Sequence, residues 1–244
     1  MSMVDLIARS HRLETTVARA DAVFDKRTLR ERCTIYIRDL IITGKIQPGD
    51  HLVETRLSDE LGVSRGTLRE AMRPLQNEGL LVADGRGHLS VRQISAAEIR
   101  EVFQVRAALE ILAASMLATR EDRHEIGREL RNAILRLKDP QLDFGAQIQS
   151  DLGFHELLCK LSGNDTLLQH WRQLIGQIEM MIIAVGADRG ASRMRYEDHV
   201  GIVEAIESGD LSTVRVELTR HFDEFAARYL LDYGAALAPT SVAD

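Results

Sequence analysis

The chain reads as mostly α-helical in two parts, a winged helix-turn-helix followed by an all-α antiparallel helical bundle. Three observations predict this. Residues 54–79 (ETRLSDELGVSRGTLREAMRPLQNEG) hold two short stretches of helical apolar spacing joined by a Gly-containing turn. A hairpin signal, Asp84-Gly85-Arg86-Gly87 between Leu81, Val82 and Leu89, Val91, follows at once. From Ser95 to residue 232 the text is helical almost throughout, with no second hairpin signal.

In chain order, residues 1–26 read as a polar arm whose sparse apolar residues demand no packed position. Leu29, Cys33, Tyr36, Ile37, Leu40 and Ile41 then follow helical spacing over 26–43, and Gly44 with the turn GKIQPGD ends it. Helices are expected at 54–61 and 64–78, with Gly62 as a stop and Ser64 as an N-cap. Leu68, Ala71, Met72 and Leu75 form one buried stripe, which leaves Arg65, Arg69 and Arg73 on the outer side. Pro74 removes one backbone hydrogen bond and should kink the end of that helix. The hairpin is the wing, or else an ordinary surface turn; Arg86, Gly87 and His88 sit at its tip. The expected domains are therefore 27–94 and 95–236, with a loose tail at 237–244.

Ser95-Ala-Ala-Glu98 is a capping box that opens the first bundle helix. Later helices are expected near 121–138, 141–162, 165–186, 190–208 and 210–232, about six in all. With 28% charged residues and no apolar run of spanning length, a membrane protein is excluded by composition. Two cysteines and no signal-peptide core point to a reduced, cytoplasmic setting. The formal charge of -6 looks wrong for a nucleic-acid binder until it is divided. Residues 27–94 carry 11 Lys+Arg against 9 Asp+Glu, whereas 95–244 carry 16 against 24, so the acidity lies in the bundle.

Asp151 and His155 stand at i and i+4, so they share a helix face at a spacing common among helix-borne metal pairs. His199 and His221 each lie mid-helix beside apolar residues. Either these side chains converge on one divalent cation or each finds its own partner. Arg106 falls within an apolar face and Arg195 four residues before His199; each suits a carboxylate ligand beside a metal, or an internal salt bridge.

The order GVSRGTLREAM, VRAALE, DLGFH, SGN and DHVGIVEAIESGD resembles the GntR superfamily of bacterial transcription regulators, with a C-terminal part like the FCD subfamily, over residues 28–232. The resemblance implies that Arg65 and Arg69 contact bases, that Ser64, Gly66 and Thr67 contact the backbone, and that Gly87 and His88 contact DNA from the wing. Thr55 departs from relatives that place a DNA-contacting arginine there. It further implies a metal, commonly zinc or nickel, on Asp151, His155, His199 and His221. A small organic or sugar acid would be held there, with Arg106 and Arg195 as its contacts. The expected protein is a homodimeric repressor on an inverted-repeat operator in double-stranded DNA, and not an enzyme. Two rival readings are a metal-dependent hydrolase and a regulator that senses the metal directly.

Overall fold

The computed structural model describes residues 27–186 and 194–237. The arm at 1–26, most of the 186–190 break and all but the first residue of the 237–244 tail lie outside the described residues.

The head begins with α1 (Leu29–Ile42), opened by a capping box between Thr28 and Glu31. Then come α2 (Glu54–Leu61) and α3 (Arg65–Asn77). Gly62, at φ 64, makes the left-handed turn between them that an L side chain would resist. Ser64 caps α3, its Oγ accepting from the Thr67 N–H at 3.1 Å. Leu68, Ala71, Met72 and Leu75 are buried against the α1 residues Ile37 and Ile41, as the spacing predicts. The helix continues three residues past Pro74 to Asn77, close to the expected end at 78. The missing N–H falls in the last turn, and the Thr34 hydroxyl of α1 donates to the neighbouring Ala71 carbonyl at 2.7 Å.

The hairpin forms where expected. Strand β1 (Leu81–Ala83) pairs antiparallel with β2 (Leu89–Val91), Leu81 opposite Val91. At its tip the Asp84 carboxylate accepts from the backbone N–H groups of Arg86 and His88, both at 2.8 Å, and those bonds lower its pKa.

Among the described residues six long helices follow: α4 (Ala96–Ala118), α5 (Arg123–Leu135), α6 (Phe144–Leu161), α7 (Asp165–Ala184), α8 (Tyr196–Ser208) and α9 (Leu211–Leu237). Several bounds shift from expectation. The stretch expected at 121–138 is α5 plus a 3-10 turn at Arg136–Lys138, and the helix expected from 190 starts at Tyr196. Asp143 and Asn164 cap α6 and α7 with their side chains. None of the described helices is long and apolar enough to cross a membrane.

Head and bundle meet at α7. A Cβ added to Gly176 would lie 1.3 Å from the backbone oxygen of Glu78, the residue that ends α3. Arg38 of α1 clamps the junction, pairing with Glu78 and donating to buried Glu179 at 3.2 Å. Gln149 of α6 donates to the other Glu179 oxygen at 3.1 Å. Burial raises the Glu179 carboxyl while the Arg38 charge pulls it back down. Late in α9, Tyr233 donates to the Ile94 carbonyl in the connection between the two parts. We expect Gly176→Ala to lower stability by about 1–3 kcal/mol, because backbone must move rather than a side-chain tip. Thermal unfolding checks this, and a wild-type midpoint would contradict the contact.

Candidate metal centre and nucleic-acid interface

The candidate metal centre lies where α4, α6, α8 and α9 converge. Asp151, His155, His199 and His221 are all buried. The three imidazoles form a triangle with centroid separations of 5.1, 5.5 and 5.3 Å. One ligand atom from each falls within 4.8 Å of the others. Asp151 reaches the set through His199, with Oδ1 3.0 Å from Nε2.

What orients the rings is the far side of each. His155 Nδ1 lies 2.6 Å from Glu110 Oε2, His199 Nδ1 lies 2.8 Å from the Arg195 carbonyl, and His221 Nδ1 lies 3.1 Å from the Asp198 carbonyl. All three partners are acceptors, so each Nδ1 carries the proton and each Nε2 faces inward. The Nε2 atoms of His155 and His199 are 3.2 Å apart. Two lone pairs cannot face each other at that distance without a proton or cation between them.

Burial pushes His155 well below the ordinary imidazole range, and the Arg106 charge adds to it; His221 is pushed down likewise by burial and by its imidazole neighbours. His199 moves the other way. Burial opposes it, but the hydrogen bond and charge of Asp151 hold its pKa up. Asp151 is held down by the same bond against the effect of its own burial. Three imidazoles with inward nitrogens beside a carboxylate are a donor set of the kind that would hold a divalent cation.

Around the set, Phe103, Arg106, Met181, Ile182 and Met194 close a cavity whose free volume is about 10 Å³, the scale of one water. Arg106 is buried, its Nε donating to Glu110 Oε1 at 2.8 Å, while its Nη2 is buried with no hydrogen-bond partner among the described residues. The structure does not bring Arg195 to this cavity. Its guanidinium is half-exposed and pairs with Asp198 Oδ1 at 2.9 Å, so only its backbone carbonyl serves the centre.

On the head, Arg65, Arg69 and Arg73 are exposed along α3 as the spacing predicts. Arg69, Arg73, Arg86 and Gly87 line one groove between α3 and the wing. Arg69 Nε is held by Glu54 Oε2 at 2.8 Å, which leaves its terminal nitrogens outward. Ser64, Gly66 and Thr67 stand at the start of α3, though the Ser64 hydroxyl is engaged with Thr67. His88 leans back onto Asp84 at 3.2 Å. Arg56 points away from this groove, pairs with Glu60 and lines a separate one with Tyr36 and Leu40.

Residues 29–91 match the model of bacterial regulatory proteins of the gntR family, and residues 101–224 match the FCD domain. The chain belongs to the GntR family. It is a DNA-binding transcriptional regulator with an FCD domain. The HTH-type transcriptional regulator YdhC of Bacillus subtilis strain 168 is 29% identical over 194 residues, covering 77% of this chain and 84% of that protein. The gluconate operon transcriptional repressor of Bacillus licheniformis is 26% identical over 209 residues, covering 80% and 82%. In fold, a GntR regulator from Rhodococcus sp. RHA1 superposes with a TM-score of 0.59 at 22% identity, over 82% of this chain and 97% of that one.

Two residues of this GntR chain escaped the sequence reading. Glu110 is completely buried and bonds His155, Arg106 and Trp171; its one sequence signal was the Arg106–Glu110 i,i+4 spacing. Glu54 carried no signal, because its partner Arg69 is fifteen residues away. Elemental analysis should find about one metal ion per chain in wild type and none in His199→Ala/His221→Ala. Equal metal content in both proteins would remove the centre.

Proposed function

We propose that this regulator is a homodimeric repressor whose operator binding responds to a small carboxylate held at a metal site in the bundle. The observation that carries the reading is the inward convergence of three imidazole Nε2 atoms beside a buried arginine donor without a partner. Asp151, His155, His199 and His221 would hold the cation, zinc or nickel, which acts as a Lewis acid toward one carboxylate oxygen. Arg106 Nη2 would take the other oxygen. Arg195 drops out of the effector set because its side chain is committed to Asp198 at the surface. That one relative is named for a gluconate operon supports a sugar acid as the ligand class.

On the DNA side, Arg65 and Arg69 would read guanines through bidentate hydrogen bonds in the major groove. Ser64, Gly66 and Thr67 would contact the phosphate backbone, and Gly87 and His88 would follow the adjacent backbone from the wing. Half-exposed Val105 and Leu112, seven residues apart on one face of α4, offer an apolar stripe for a second copy. A two-fold dimer reads an inverted repeat.

The tight cavity favours one second reading, in which the metal alone is the signal. Titrating free zinc against operator affinity with no organic ligand present separates the two. The reading head has its own test, on a site selected in vitro by the purified protein. Arg65→Ala and Arg69→Ala should each cost about 1–3 kcal/mol of specific binding and leave the helical content unchanged. Retained footprinting by the double variant would sink the assignment.

A further inference from the structure

Glu110 has no task in the function proposed above, yet side chains from three helices bond to it. It is completely buried. Its Oε2 accepts from His155 Nδ1 at 2.6 Å, and its Oε1 accepts from Arg106 Nε and from Trp171 Nε1, both at 2.8 Å. The three donors sit on three different helices, α6, α4 and α7. A buried anion is costly unless it is paired and hydrogen-bonded, and this one is both.

Two consequences follow from the geometry. With Nδ1 held, His155 can turn only Nε2 toward the centre; with Nε held, Arg106 leaves Nη2 at the cavity, where it has no partner. The charge balance is the second. Glu110 cancels the Arg106 guanidinium, so the charge of the filled site is set by one divalent cation against Asp151 alone. A single positive charge is left over in a dry interior. A singly charged anion neutralises it, whereas a doubly charged one leaves a buried negative charge.

We propose that Glu110 is the positioning and charge-setting residue of the bundle site. It presents His155 Nε2 and Arg106 Nη2 to the cavity, and it makes the cation-loaded site select singly charged carboxylates over doubly charged anions. This rests on reading the bundle as a cation-anchored anion site.

The test uses the full chain, zinc alone, and then acetate and sulfate as mono- and dianion probes. The chain's only tryptophan, Trp171, donates to Glu110, so its emission reports this network directly. Glu110→Gln offers one acceptor oxygen, and its amide nitrogen must then face a donor. Zinc affinity should fall tenfold or more. The sulfate-to-acetate affinity ratio should rise at least tenfold, and Trp171 emission should shift. Glu110→Asp keeps the charge but is one methylene too short to span its donors. It should lose zinc affinity while keeping the wild-type anion ratio, and it carries the test if Glu110→Gln does not fold. Wild-type protein that takes up no zinc would overturn the underlying site and this inference with it. Wild type that takes zinc, matched by Glu110→Gln in zinc affinity and anion ratio, would overturn the role of Glu110 alone. A Glu110→Asp ratio that moves with that of Glu110→Gln would overturn the charge argument.

Discussion

Three imidazole nitrogens turned toward one another inside an apolar bundle are the constraint on which the rest of this structure depends. Each ring is held from behind by an acceptor that fixes its tautomer: the Glu110 carboxylate and the carbonyls of Arg195 and Asp198. Those acceptors belong to α4 and to the start of α8, so the relative placement of α4, α6, α8 and α9 is specified by polar geometry as well as by apolar packing. Apolar contacts alone would tolerate a small slide of one helix against another. A network in which each imidazole Nδ1 must meet its acceptor does not.

Legibility in the sequence divides along the reach of the signals. The head is written in local ones, and residues 54–91 fold much as their spacing predicts: a Gly62 stop, a Ser64 cap, a four-residue apolar stripe and a Gly-rich hairpin tip. In the bundle, Asp151 and His155 were readable as a pair because four residues of helix place them on one face. That α8 and α9 bring His199 and His221 to that face is a tertiary fact with no local trace. Arg195 takes the second of its two readings, the internal salt bridge, for a specific reason. It is the cap residue before α8, with extended backbone, so its carbonyl faces the centre while its side chain runs out to Asp198. Beyond the i,i+4 spacing of Arg106 and Glu110, nothing local marks either Glu110 or Gly176. Their meaning comes from a neighbour far off in the chain.

Helix α7 joins the two halves through its two faces. Trp171, Ile178, Met181 and Ile182 turn inward, the first to Glu110 and the other three to the cavity. Gly176 and Glu179 turn outward to the end of α3 and to Arg38. A rigid helix in contact with both places has little freedom to shift at one without shifting at the other. The backbone approach at Gly176 leaves no soft side-chain layer to absorb such a shift.

The free volume at the centre, about 10 Å³, also has a meaning in time. A ligand larger than water seated there would need lining side chains such as Phe103, Met181, Ile182 or Met194 to give way. Exchange of anything held there then runs at the pace of these side chains and the helices behind them, rather than at the pace of diffusion. Under the proposed function, the residence of a bound carboxylate would be governed by how often the bundle breathes, and its departure would lag behind a brief fall in concentration outside.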